Sequence, residues 1–98
     1  PYYRLVYVYL KNHNEALLDQ MAVVMADKLR AVFGNRVLGP DKPPVARIQT
    51  LFIKKIVVKI EQNAPMGRAR ELLLRIQREM IEDERYKSLI VYYDVDPM

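Results

Sequence analysis

From Arg4 to Leu10 the side chains alternate: Val6, Val8 and Leu10 fall on one side, Leu5, Tyr7 and Tyr9 on the other. With β-branched and aromatic residues throughout, that period of two predicts a first strand. Lys11-Asn12-His13-Asn14 breaks the alternation, and Asn14 offers a side-chain oxygen to the free amides of a helical first turn. A helix follows from about Glu15 to Phe33, in which Leu18, Met21, Met25, Leu29 and Val32 recur every three or four residues as one buried stripe. Gly34 or Asn35 suits the left-handed conformation that closes such a helix.

Beyond Arg36 the chain reads as extended, because Gly39-Pro40 and Pro43-Pro44 exclude helix and restrict any pairing to an edge or interrupted strand. The second strand is expected over Val45 to Gln49, with an earlier extended segment at Val37-Leu38, and a short joint near Gln49 to Leu51 suits a hairpin. In the next strand, Leu51 to Glu61, Phe52, Ile56, Val58 and Ile60 share one face, while Leu51, Ile53, Lys55, Val57 and Lys59 share the other. Lys54 falls on the apolar side, so it is expected near the hairpin end, where its ammonium reaches water.

Asn63-Ala64-Pro65 opens a second helix reaching about Asp83, with Ala69, Leu72, Leu73, Ile76 and Met80 as its apolar stripe. Glu71 with Arg75 and Arg78 with Glu82 are four-residue neighbours on its outer surface. A last strand, Leu89 to Val95, stops at Asp96-Pro97. The order strand, helix, strand, strand, helix, strand gives an α+β, ferredoxin-like split-βαβ sandwich, because right-handed crossovers place both helices on one face of an antiparallel sheet. The other face is left for water, a partner domain or a ligand.

Apolar residues make up 51% and charged residues 29% of the 98, the balance of one globular domain. The apolar run Leu5 to Leu10 is far too short to cross a bilayer, so no membrane is expected among the partners. Cysteine is absent, which removes disulfides and thiolate metal sites, and a lone His13 does not build a zinc site. The start at Pro1, with no initiator Met and no signal-peptide pattern, reads as a piece of a longer intracellular protein. A net charge of +4 and an isoelectric point near 9.4 favour a polyanionic partner.

Gly34, Gly39 and Gly67 are too scattered to form a phosphate-binding loop, so neither ATP nor any other cofactor is expected on this stretch. The nucleophile–base combinations on offer are Thr50 or Ser88 with His13, and His13 reads as a solvated loop residue, so the domain is expected to be noncatalytic. Asp94 and Asp96, two apart, share a strand face on which one cation could sit; Asp96 before Pro97 reads more simply as a strand end and turn.

Tyr7, Tyr9, Lys55 and Lys59 share the face expected to lack helices, and rings mixed with mobile positive charge suit unstacked bases threaded between phosphates. The competing reading makes the tyrosines packing residues at a domain contact with the lysines solvated at its rim. The residues alone favour the second reading. Arg36, Lys42 and Arg47, around the proline-rich turn with only Asp41 to offset them, are a second nucleic-acid candidate. Arg68, Arg70, Arg75 and Arg78 are interleaved with Glu71, Glu79 and Glu82 and read as an ordinary charged face.

Taken in order, Pro1-Tyr2-Tyr3-Arg4-Leu5, Val37-Leu38-Gly39-Pro40, Ala46-Arg47-Ile48, Ile56-Val57-Val58-Lys59 and Asp94-Val95-Asp96-Pro97 resemble the C-terminal domain of the primosomal replication-restart DNA helicases (primosomal protein N-prime, PriA type). The resemblance implies a ribosomal S10-like fold that binds single-stranded or branched DNA and helps dock the single-stranded-DNA-binding protein. It implies a cytoplasmic bacterial parent, an ATP-dependent 3′-to-5′ helicase whose ATP, magnesium and zinc sites lie in other domains. Those domains and the other primosome proteins would be further partners. The chain has Thr50-Leu51-Phe52-Ile53 where the family often has Gly-x-aromatic-Arg; Phe52 keeps the aromatic, and Lys54 and Lys55 restore part of the charge. By resemblance Phe52 and Lys55 would meet the docking partner, and Lys54 would join the DNA contacts. Two rivals share the topology: a stand-alone RNA-binding or ribosomal module, marked by a 2′-hydroxyl preference, and an ACT-type regulatory domain, which would dimerise and bind an amino acid. The lack of a Gly-rich turn after the first strand counts against the latter.

Overall fold

The computed structural model describes residues 2–44 and 46–97. Strand β1 (Tyr3–Asn12) buries Val6, Val8 and Leu10, the side chains its alternation assigned to the core. Helix α1 (Glu15–Phe33) has the expected bounds: Asn14 Oδ1 accepts from the Leu17 amide at 3.0 Å, and Gly34 follows at φ 65°. Leu18, Met21, Met25 and Leu29 are buried, but Val32 is 39% exposed. From Leu29 the stripe advances by four residues instead of three, so Phe33 packs against the core in its place.

A 3₁₀ turn over Gly34–Arg36 leads into β2 (Val37–Asp41), and a two-residue β3 (Arg47–Ile48) follows. The main second strand is therefore the Gly39-Pro40 segment, not the later stretch, whose expected start, Val45, lies outside the described residues, as does Pro1. Both segments pair antiparallel with β4 (Leu51–Glu61): Val37 sits opposite Val58 and Leu38 opposite Val57, then Arg47 opposite Phe52. They form one interrupted edge, where a proline costs no ladder hydrogen bond. Gly39, at φ 100°, passes so near β4 that a Cβ there would lie 3.0 Å from the Lys55 carbonyl oxygen. The hairpin turns at Gln49-Thr50, with Gln49 at φ 56°.

Helix α2 (Met66–Glu82) buries Ala69, Leu73, Ile76 and Met80, with Leu72 half-buried beside them. The expected four-residue pairs are not what α2 uses; Arg68 meets Glu71 at 3.3 Å, and Glu79 reaches across to Lys28 of α1 at 3.7 Å. After a 3₁₀ turn at Glu84–Tyr86, β5 (Ile90–Val95) closes an antiparallel sheet of order β2-β4-β1-β5, with β3 also on β4. This is the ferredoxin-like α+β arrangement. The buried side chains of β1, β4, α1 and α2 form one cluster, so both helices cover the same sheet face. The half-buried Tyr93 belongs to that face, where its hydroxyl donates to Gln77 Oε1 at 2.7 Å and burial pushes its pKa up to about 12.

The chain's opening and closing segments meet. Arg4 donates through Nε and Nη2 to Asp96 Oδ2 at 2.9 and 2.8 Å, and the Asp96 amide donates to the Leu5 carbonyl at 2.7 Å. Asp96 takes φ 50°, a left-handed conformation that aspartate tolerates, and leaves the strand alternation that would have aligned it with Asp94. The turn reading of Asp96-Pro97 holds, and the carboxylate's partner is an arginine.

Candidate nucleic-acid interface

The face without helices is built by the odd-numbered residues of β1 and β4 and the even-numbered residues of β5. Register fixes the neighbours: Tyr9 lies opposite Lys55 and Tyr92, Tyr7 opposite Val57 and Asp94, Leu5 opposite Lys59, and Lys11 opposite Ile53 and Ile90. Facing residues across antiparallel strands project to the same side, so these side chains make one surface. Tyr7, Tyr9, Lys55 and Lys59 are half-buried there, on the side away from α1 and α2.

Tyr9 stacks on Tyr92 with centroids 4.7 Å apart and planes 12° off parallel, and Tyr7 meets Tyr9 edge-on at 6.2 Å. Each lysine ammonium rests over a ring: Lys55 over Tyr7 at 4.4 Å, Lys11 over Tyr92 at 4.7 Å and Lys59 over Tyr3 at 5.7 Å. Among the described residues, Lys11, Lys55 and Lys59 take part in no ion pair. Burial raises the pKa of Tyr9 and Tyr92, and Asp94 adds to both shifts, so these hydroxyls remain neutral donors at physiological pH.

Lys54 is a different case. It points to the helix face, only 17% exposed, with Nζ 3.2 Å from Asp19 of α1, so helix and strand hold it and it is no part of the open face. Phe52 also lies on the helix side, packed against the core beneath the Arg47 guanidinium at 4.9 Å, and so does not share a surface with Lys55. The two expected docking residues are adjacent on the hairpin strand but divided by strand parity.

Arg36, Lys42 and Arg47 do not form one patch. Arg36 is ion-paired with Glu61 and lies over Tyr3, at one end of β4. Arg47 sits opposite Phe52 near the other end, about 30 Å away at the usual rise of a strand. Lys42 is exposed on the segment between β2 and β3. That segment matters for another reason: Ala46 accepts from the Ile53 amide at 2.8 Å, and Pro43 and Pro44 overhang the sheet, burying Ile53 on the otherwise open face.

His13 Nδ1 lies 3.1 Å from Thr50 Oγ1, both exposed, and Ser88 is engaged instead by Asn12, whose Nδ2 donates to Ser88 Oγ at 3.0 Å. These contacts tie loops together at one end of the sheet. Tyr3, Lys11 and Tyr92 are members of the open face that local patterning did not single out, and Asp94 was read there only as half of a carboxylate pair with Asp96; the alternation Ile90, Tyr92, Asp94, once β5 is placed beside β1, is the signal that puts Tyr92 and Asp94 on this face.

Neither a protein-family model nor a curated protein matches the chain. Among solved structures it is similar to a de novo designed protein, Foldit4, with a TM-score of 0.67 and 11% identity over 98% of each chain, a likeness of fold alone.

Proposed function

We propose that this is a noncatalytic nucleic-acid-binding domain that receives single-stranded or branched DNA on its open sheet face, as in the C-terminal domain of the replication-restart helicases. The observation that carries the reading is the set of lysines resting on tyrosine rings across a face without helices. An exposed ammonium–ring contact is worth about 0.5–1 kcal/mol, whereas a base stacked on an aromatic ring is worth about 1–3 kcal/mol. An arriving base therefore displaces the ammonium from the ring, and the freed lysine swings to the adjacent phosphate. Both changes favour the strand, the second in a salt-dependent way.

The resemblance extends the proposal to a cytoplasmic helicase parent that would carry the ATP, magnesium and zinc sites in other domains, with the single-stranded-DNA-binding protein as a further partner. Docking of that protein through Phe52 and Lys55 as a pair is not part of this proposal, since the two side chains occupy opposite faces. The second nucleic-acid candidate is reduced to Lys42 as a rim charge, with Arg36 engaged by Glu61 and Arg47 lying over Phe52 on the helix side.

The test is fluorescence anisotropy with a labelled thymine oligomer in rising salt. The wild-type domain should bind with an affinity that falls steeply as salt increases. The Lys55→Glu/Lys59→Glu variant should bind at least about tenfold more weakly, as expected for reversing two phosphate-facing charges. Salt-independent binding, or equal affinity of variant and wild type, would refute the reading.

A further inference from the structure

Where the Pro43-Pro44 segment overhangs the sheet, a shallow cavity of about 380 Å³ opens, lined by Tyr9, Tyr92, Ile48, Ile53, both prolines and Asp94. Two stacked phenol rings, aliphatic walls and proline rings make a lining suited to a flat aromatic group. The cavity is larger than one nucleobase and open on one side. Its charged member is a carboxylate, on a face that also carries Lys11, Lys55 and Lys59. Among the described residues Asp94 is in no ion pair, so its oxygens are not consumed by Lys11, Lys55 or Lys59.

A carboxylate in a phosphate-binding face weakens attraction to the backbone, and so works against binding unless it meets donors on the ligand. We propose that this cavity takes one unstacked base of the bound strand and that Asp94 makes it select guanine. Guanine alone among the DNA bases presents two adjacent donors, N1–H and N2–H₂, in the parallel arrangement that a carboxylate accepts with both oxygens. Thymine offers one N–H flanked by two carbonyl oxygens that repel a carboxylate. Cytosine and adenine place a ring-nitrogen acceptor beside their amino group. The inference rests on the proposed DNA-binding role and names the base preference of that same face.

The experiment uses thymine oligomers carrying one central guanine, hypoxanthine, adenine or cytosine, titrated against the wild-type domain and Asp94→Asn. Hypoxanthine keeps N1–H and lacks the 2-amino group, so it isolates the second hydrogen bond. Wild type should bind the guanine strand about five- to tenfold more tightly than the hypoxanthine strand, as expected for losing one solvent-exposed hydrogen bond of the two. Asp94→Asn should abolish that difference and bind the all-thymine strand about twofold more tightly, because one exposed repelling charge has gone. If wild type binds all strands equally, or if Asp94→Asn retains the guanine preference, base selection by Asp94 is wrong while DNA binding stands. If no strand binds at all, both readings fall together.

Discussion

Lys54 and Lys55 are consecutive and chemically identical, yet the pleat sends one to Asp19 of α1 and the other to the Tyr7 ring. Lys54→Ala should therefore change DNA affinity by less than about twofold, since it removes only a screened pair on the far face. In the same anisotropy titration Lys55→Glu alone should lose several-fold; equal losses at both positions would show that bulk charge and not the open face governs binding. Asp96 makes the fold sensitive to acid. Hydrogen bonds from the Arg4 guanidinium hold its carboxyl below the ordinary 3.8. The stability it contributes is thus complete above about pH 4 and is lost as acid takes the pH down through its lowered value in the folded protein. Asp96→Asn should lower the melting temperature at pH 7 more than at pH 2, and an equal loss at both would contradict the pairing. Alternation along Arg4–Leu10 and Leu51–Glu61 made Tyr7, Tyr9, Lys55 and Lys59 legible in the sequence. Tyr92 was not, because its importance lies in its register with Tyr9, a relation between segments far apart in the chain.

At the scale of elements, both helices and the strands β1 and β4 could be read from hydrophobic period and capping chemistry, because their stripes are long and their ends carry Asn14, Gly34 and Pro65. Replacing Asn14 by Ala leaves the Leu17 amide without its partner and should cost about 1 kcal/mol in chemical denaturation. No measurable loss would mean that water caps the helix equally well. The second strand was harder to locate, since Gly39-Pro40 looks like a break. The structure uses it as an edge strand because proline's missing amide is harmless there and glycine permits close approach to β4. Gly39→Ala forces a Cβ against the Lys55 carbonyl at a left-handed φ and should destabilise by more than about 1 kcal/mol. An unchanged denaturation midpoint would show that the edge yields without strain. This gives the Val37-Leu38-Gly39-Pro40 segment a structural reason to exist apart from any contact with DNA.

Across the whole molecule, the split-βαβ order confines both helices to one side and sets tyrosines from β1 and β5 beside lysines from β1 and β4 on the other. The Arg4–Asp96 pair holds the opening and closing segments of the chain together at the sheet, and the proline segment roofs one end of the open face. Topology was legible because only a few connections satisfy the handedness rule. The roof was not, because a proline-rich stretch gives no period that says which side of the sheet it will cover. Binding on the open face is tested by following backbone amide resonances while adding a short thymine oligomer. Shifts should concentrate on β1, β4 and β5 around Tyr7, Tyr9, Lys55, Lys59 and Tyr92, with the outer surfaces of α1 and α2 unmoved. Shifts confined to the arginines of α2, or none at saturating oligomer, would contradict it.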